Sequence, residues 1–140
     1  MDSYNLQRFV DAQSEVYESV RRELGRGRKT GHWMWFIFPQ IRGLGSSATA
    51  QHFAIASVDE ARAYLAHEVL GPRLLECTRL IAGLEGPTSV DIFGEVDSQK
   101  LRSSLTLFAA AAVGEDKKVF KMALARYFAG RADRLTLDRL

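Results

Sequence analysis

The sequence predicts an all-α protein. It reads as a single compact domain, residues 1–140, of about seven helices in a mostly orthogonal bundle around a buried central helix near residues 97–113. Three observations predict this. Apolar residues return at three- and four-residue spacing in nearly every segment. Glycine and proline fall mostly at the boundaries of those segments. The one short stretch that also suits a strand has no second strand to pair with. The chain has 140 residues, 46% apolar and 26% charged, enough to bury a core unaided and neither disordered nor fibrous in character.

Leu6, Phe9, Val10, Val16, Tyr17, Val20 and Leu24 recur at helical spacing, with Arg8, Asp11, Glu15, Glu18 and Arg22 between them. That predicts one amphipathic helix stopped at Gly25. A basic, glycine-punctuated loop follows, from Arg26 to Gly31. His32 to Phe38 is too short for periodicity to choose between a buried strand and two turns of helix. Pro39 ends it either way, and the missing partner strand favours helix. Gly43 to Ser47 reads as a turn, with Ala48, Ala50, Phe53 and Ala54 in a short helix after it.

Ser57 and Glu60 spell a capping box, the Ser57 hydroxyl accepting from the Glu60 amide while the carboxylate reaches back. The helix so opened carries Ala61, Tyr64 and Leu65 and breaks near His67. Pro72 suits the first turn of the next helix, whose stripe is Leu70, Leu74, Cys77, Ile81 and Leu84. Gly83 and the Gly86-Pro87 pair end it. Thr88 or Ser89 caps a single turn containing Ile92 and Phe93. Asp97 or Ser98 caps the longer helix, with Leu101, Leu105, Phe108 and Ala112 at core spacing. No residue from Ser103 to Gly114 is charged, so other elements surround this helix on most sides. Gly114 separates it from a last long helix carrying Phe120, Leu124 and Phe128. Gly130 stops that helix, and the tail from Thr136 adds a further turn.

The densest chemistry lies in His32-Trp33-Met34-Trp35-Phe36-Ile37-Phe38-Pro39-Gln40, with cations on both sides: Arg28, Lys29 and His32 before it and Arg42 after it. Tryptophan stacks on a planar ring, and adjacent Arg or Lys binds phosphate. The same tryptophans also suit a core. A second feature is Lys100-Leu101-Arg102-Ser103-Ser104, where two cations and two hydroxyls near a helix start favour an anion. If the two features meet, they make a pocket for an anionic small molecule such as a nucleotide or nucleotide-sugar. Lys29, His32, Trp33, Trp35, Gln40, Arg42, Ser46, Lys100, Arg102 and Ser103 are its candidate residues, and His32 is the only plausible acid or base at neutral pH.

The alternative is a protein-interaction module with a basic and aromatic surface. Nucleic-acid binding is a third reading, resting only on a local excess of four positive charges over residues 21–29, because the whole chain carries only +2. His32, His52 and His67 lack metal-ligand spacing, so neither metal nor cofactor is expected. Gly43-Leu44-Gly45-Ser46-Ser47 lacks the ending of a phosphate loop. Cys77 lies in an apolar stripe and reads as a buried, inert thiol. A lone cysteine, no signal peptide and no apolar run of spanning length predict a cytoplasmic location.

Several stretches carry a resemblance: Arg28 through Gln40, Gly43-Leu44-Gly45, Ala63-Tyr64-Leu65-Ala66-His67, Val69 through Leu74, and Lys100 through Phe108. Together, along nearly the whole chain, they resemble a bacterial domain-of-unknown-function family, some members of which carry the label "calpastatin". The resemblance implies an all-helical fold of this length and cytosolic character, and it supplies no catalytic residue. It leads one to expect Ser or Thr where Gly31 stands. The calpastatin label conflicts with the periodicity, since inhibitors of that kind are long disordered chains.

Overall fold

Ser103 to Ala109 are buried without interruption, so the helix that carries them is enclosed on every side. In the computed structural model, which describes residues 1–140, that helix is α7 (Ser89–Ala111). Before it come α1 (Gln7–Ser14), α2 (Tyr17–Gly25), α3 (Met34–Ile37), α4 (Ala48–His52), α5 (Val58–Ala66) and α6 (Leu70–Ala82); after it come α8 (Gly114–Phe128) and α9 (Arg134–Leu137). α5, α8 and α9 all pack on α7, α6 packs on α2, α5 and α8, and α1 packs on α3. The buried apolar side chains form a single cluster of 29 residues. The all-helical expectation holds. The count of seven does not: there are nine helices, three of them only one or two turns long.

The single helix expected over residues 6–24 is two. Both the Glu15 and Val16 amides turn back to the Gln13 carbonyl, which ends α1 and re-aims α2 toward α6. The reason is tertiary. Gln13, 1% exposed, donates to the Phe36 carbonyl and the Tyr64 hydroxyl, while Tyr17 donates to Glu76 on α6. The aromatic run is also only partly helical. α3 is one turn, after which the chain extends and Ile41 pairs in parallel with Ile55 through the Gln40 carbonyl and Arg42 amide.

The capping box forms with one change. Ser57 Oγ accepts from the Glu60 amide at 3.1 Å, but the Glu60 carboxylate reaches the amide of Ala56 and pairs with Arg8 at 2.9 Å. Thr88 and Asp91 make a full reciprocal capping box at the start of α7. Gly94 (φ 81, ψ 168) then interrupts α7, so the predicted single turn stands apart from the long segment. Neither Asp97 nor Ser98 caps that segment, because both are committed elsewhere. Ser98 Oγ meets Ser89 Oγ at 2.6 Å across the kink, and Asp97 holds two lysines.

Gly71 lets α5 turn tightly into α6. A Cβ there would sit 2.1 Å from the Leu65 carbonyl oxygen, a backbone atom with no rotamer to yield. Gly71→Ala is therefore expected to destabilise the fold by about 2 kcal/mol or more, read as a lower urea midpoint with an unchanged slope.

Candidate functional site

The aromatic run is positioned by a buried carboxylate. Glu23 Oε1, on α2, accepts from the amides of Thr30 (2.6 Å) and Gly31 (2.8 Å) and from the Trp33 indole N–H (3.0 Å). Burial raises the Glu23 pKa, but the donors from Gly31, Thr30 and Trp33 more than offset that, so the carboxyl titrates below the ordinary glutamate value of 4.5. Gly31 fits this clamp sterically: a Cβ would lie 2.8 Å from the Trp33 ring.

Lys29 closes the clamp from the other side. Its ammonium pairs with Asp97 at 2.9 Å, donates to the Gly31 carbonyl at 2.5 Å and lies 5.1 Å from the Trp33 ring centroid. Trp33 is 2% exposed and packs edge-on against Phe93. Lys29 and Trp33 therefore belong to the core, not to a pocket. Arg102 is likewise structural, donating to the carbonyls of Arg131 (2.8 Å) and Ala132 (3.1 Å). His32 is exposed and lines none of the cavities described below.

The remaining candidates converge. Trp35, half-buried, stands at the common wall of two adjoining cavities of about 450 and 550 Å³, which also share Gln40, Gly45 and Ala50. Arg42 lines the first; Ser46, Lys100 and Ser103 line the second. These volumes fall within the range of small-molecule sites. The Lys100 ammonium lies 4.7 Å from the Trp35 ring centroid and 3.6 Å from Asp97, whose other oxygen already holds Lys29. Two ammonium groups thus share one carboxylate, leaving a positive surplus beside the ring.

Among the groove residues that lay outside the candidates read from the sequence are Val96, Gln99, Asp133 and Leu135. Asp133 is 5% exposed and accepts from Gln99, Ser103 and both the amide and hydroxyl of Thr136, while its own amide donates to Thr106. Its one sequence signal was local: an Asp followed three residues later by the Thr whose amide it caps.

The basic segment is only partly neutralised, with Arg22, Arg26 and Arg28 exposed and in no ion pair. Arg21 pairs with Glu18 and Glu76, and Lys29 pairs with Asp97. No group of three or more His, Cys, Asp or Glu side chains is placed to hold a metal ion. No helix is long and apolar enough to cross a membrane. Cys77 is fully buried, and burial pushes its thiol up to about 12.

The family model described as "Protein of unknown function (DUF1810)" matches residues 3–140. The chain belongs to this family. The crystal structure of the conserved hypothetical protein Rv1873 from Mycobacterium tuberculosis is similar to this DUF1810 chain at a TM-score of 0.96 and 52% identity, over 99% of this chain and 98% of that one. No curated protein matches it. The resemblance along nearly the whole chain to a family of unknown function is thus borne out, and the all-helical fold it implies is present.

Two outcomes are expected for this DUF1810 clamp and core. Glu23→Gln keeps one carbonyl oxygen for the three donors but removes the charge that strengthens them, and is expected to lower stability by about 1–3 kcal/mol at pH 7, measured by urea unfolding. Because the folded-state pKa is depressed, the wild-type contribution is present above pH 4.5 and is lost as pH falls through the lower folded value. The difference between wild type and variant should accordingly shrink in acid. Cys77, with its thiol raised, is expected to react with a disulfide reagent only after denaturant is added, followed as thiolate release.

Proposed function

We propose that this chain binds a small anionic ligand carrying a planar ring, by class a nucleotide or nucleotide-sugar, in the groove at Trp35. One observation carries the reading: the aromatic run and the 100–104 turn, far apart in sequence, line the same pair of adjoining cavities. The Lys100 ammonium lies 4.7 Å from the Trp35 ring centroid, and Trp35 also lines the first cavity, where a planar ring stacks on it. Arg42 is exposed and forms no ion pair, so it can meet an anion without first losing a partner. Lys100 is the loosely held member of the Lys29–Asp97–Lys100 set and supplies the second positive charge. Gln40, Ser46 and Gln51 add neutral hydrogen-bonding groups to the walls.

The reading is one of binding rather than turnover. Asp133 is the groove's carboxylate, and its oxygens are engaged by Gln99, Ser103 and Thr136. His32 lies outside both cavities. The cytoplasm, where nucleotides and sugar phosphates are plentiful, is the location this function implies. A protein-interaction role is the second reading, favoured by Val96 and Leu135, 70% and 64% exposed on the wall of the larger cavity.

The test is a thermal-shift screen with nucleotides, dinucleotides, ADP-ribose and sugar phosphates, repeated on Arg42→Ala and Lys100→Ala. A ligand at about 100 times its Kd adds about 2.7 kcal/mol, a rise of several degrees in Tm for a domain of this size. A shift abolished by either substitution is the expected result. No shift with any anionic ligand overturns the reading and leaves the protein partner to be sought at Val96 and Leu135.

A further inference from the structure

The C-terminal segment crosses α7 and divides the space along it. Asp133 and Leu135 face the groove at Trp35, whereas Gly130, Ala132 and Leu137 face a separate cavity of about 430 Å³ between α7 and α8. That third cavity has a different character. Ala109 and Ala110 on α7 leave the room, and Leu124 and Leu137 make further apolar wall. Lys117 and Lys121, one turn apart on α8, line the same cavity.

Neither lysine has an anionic partner. Lys117 Nζ reaches only the Ala112 carbonyl, at 3.5 Å, while the neighbouring Glu115 pairs with Lys118 at 2.9 Å. Two like charges at that spacing repel one another, so an anion set between them relieves repulsion as well as gaining two charge-assisted contacts. The hydroxyl in the wall, Thr106, is already committed in both directions. It donates to the Arg102 carbonyl and accepts from the Asp133 amide, each at 2.8 Å. With no aromatic side chain and no free hydroxyl or amide side chain in the lining, the cavity offers nothing to read a base or a sugar. It offers an apolar bed with a cationic edge.

We propose that this cavity is a second binding site, for a small amphipathic anion. A short aliphatic or aryl body lies on Ala109, Ala110, Leu124 and Leu137, and a single carboxylate or phosphate head sits between Lys117 and Lys121. The proposal does not rest on the groove at Trp35, and the two sites select by different chemistry.

The experiment titrates the full chain with octanoate, octyl phosphate and octylamine and follows backbone amide resonances. Saturable binding of octanoate, octyl phosphate or both is expected, with shifts centred on Ala110 and Leu124; which of the two binds more tightly identifies the head group. Octylamine, with the same tail and the opposite charge, should not bind. Lys117→Gln with Lys121→Gln should weaken anion binding by about tenfold or more. Ala110→Phe, at an exposed position on the cavity wall, should block it by filling the space while both lysines remain. The proposal is overturned if octylamine binds equally well, if the lysine variant binds unchanged, if shifts centre on Trp35, or if no anion saturates below about 10 mM.

Discussion

The carboxylate of Glu23 is the constraint from which the arrangement of the aromatic run follows. A buried charge persists only when its oxygens are satisfied, and here two loop amides and an indole N–H converge on one oxygen. The Lys29 ammonium presses on the other side of Trp33 and is itself neutralised by Asp97. The loop before the run is thus held from two directions, and Trp33 is drawn into the core. Residues two apart on a helical turn differ in direction by about 200°, so committing Trp33 inward sends Trp35 outward to the groove. A residue on α2 thereby decides which tryptophan is structural and which faces the groove.

Two further polar knots shape the same groove from outside the run. Arg8 donates to the His52 and Ala54 carbonyls and pairs with Glu60, whose side chain is 4% exposed, tying the N-terminal helix to the segment that floors the first cavity. Losing one partner of such a pair leaves the other charge buried without compensation. At the far wall, Asp133 gathers Gln99, Ser103 and Thr136 while Arg102 holds the carbonyls of Arg131 and Ala132. These contacts lay the C-terminal segment across α7. Without them neither the groove at Trp35 nor the lysine-edged cavity would have its shared partition.

Charge is distributed with the same logic. Some of the cations read from the sequence are absorbed by structure, Arg21 by Glu18 and Glu76, Lys29 by Asp97, and Arg102 by backbone carbonyls, while Arg22, Arg26 and Arg28 are exposed and line neither cavity of the groove. Arg42 stays unpaired, and Lys100 only half-shares Asp97. The electropositive character of the groove therefore comes from two residues on separate elements rather than from the basic segment that dominates the sequence. That segment shapes the groove indirectly, through Lys29.

The sequence by itself determined the helices, most of their stops, and the identity of the central element. Helical periodicity, capping hydroxyls and glycines act through residues three or four apart, so Ser57, Thr88, Gly114 and Gly130 were legible without a fold. The uncharged run after Ser103 announced its enclosure for the same reason. It also brought Trp35, Arg42 and Lys100 forward as candidates by residue type. Only the tertiary structure separated them from Trp33, Lys29 and Arg102, and only it split the first helix, paired Ile41 with Ile55 and drew Asp133 into the wall. Each of those outcomes depends on partners at least ten residues away, such as Glu23 for Trp33, Arg131 for Arg102 and Ser103 for Asp133. Whether a polar side chain faces water or a buried partner is decided by what the fold places opposite it, and no local spacing encodes that.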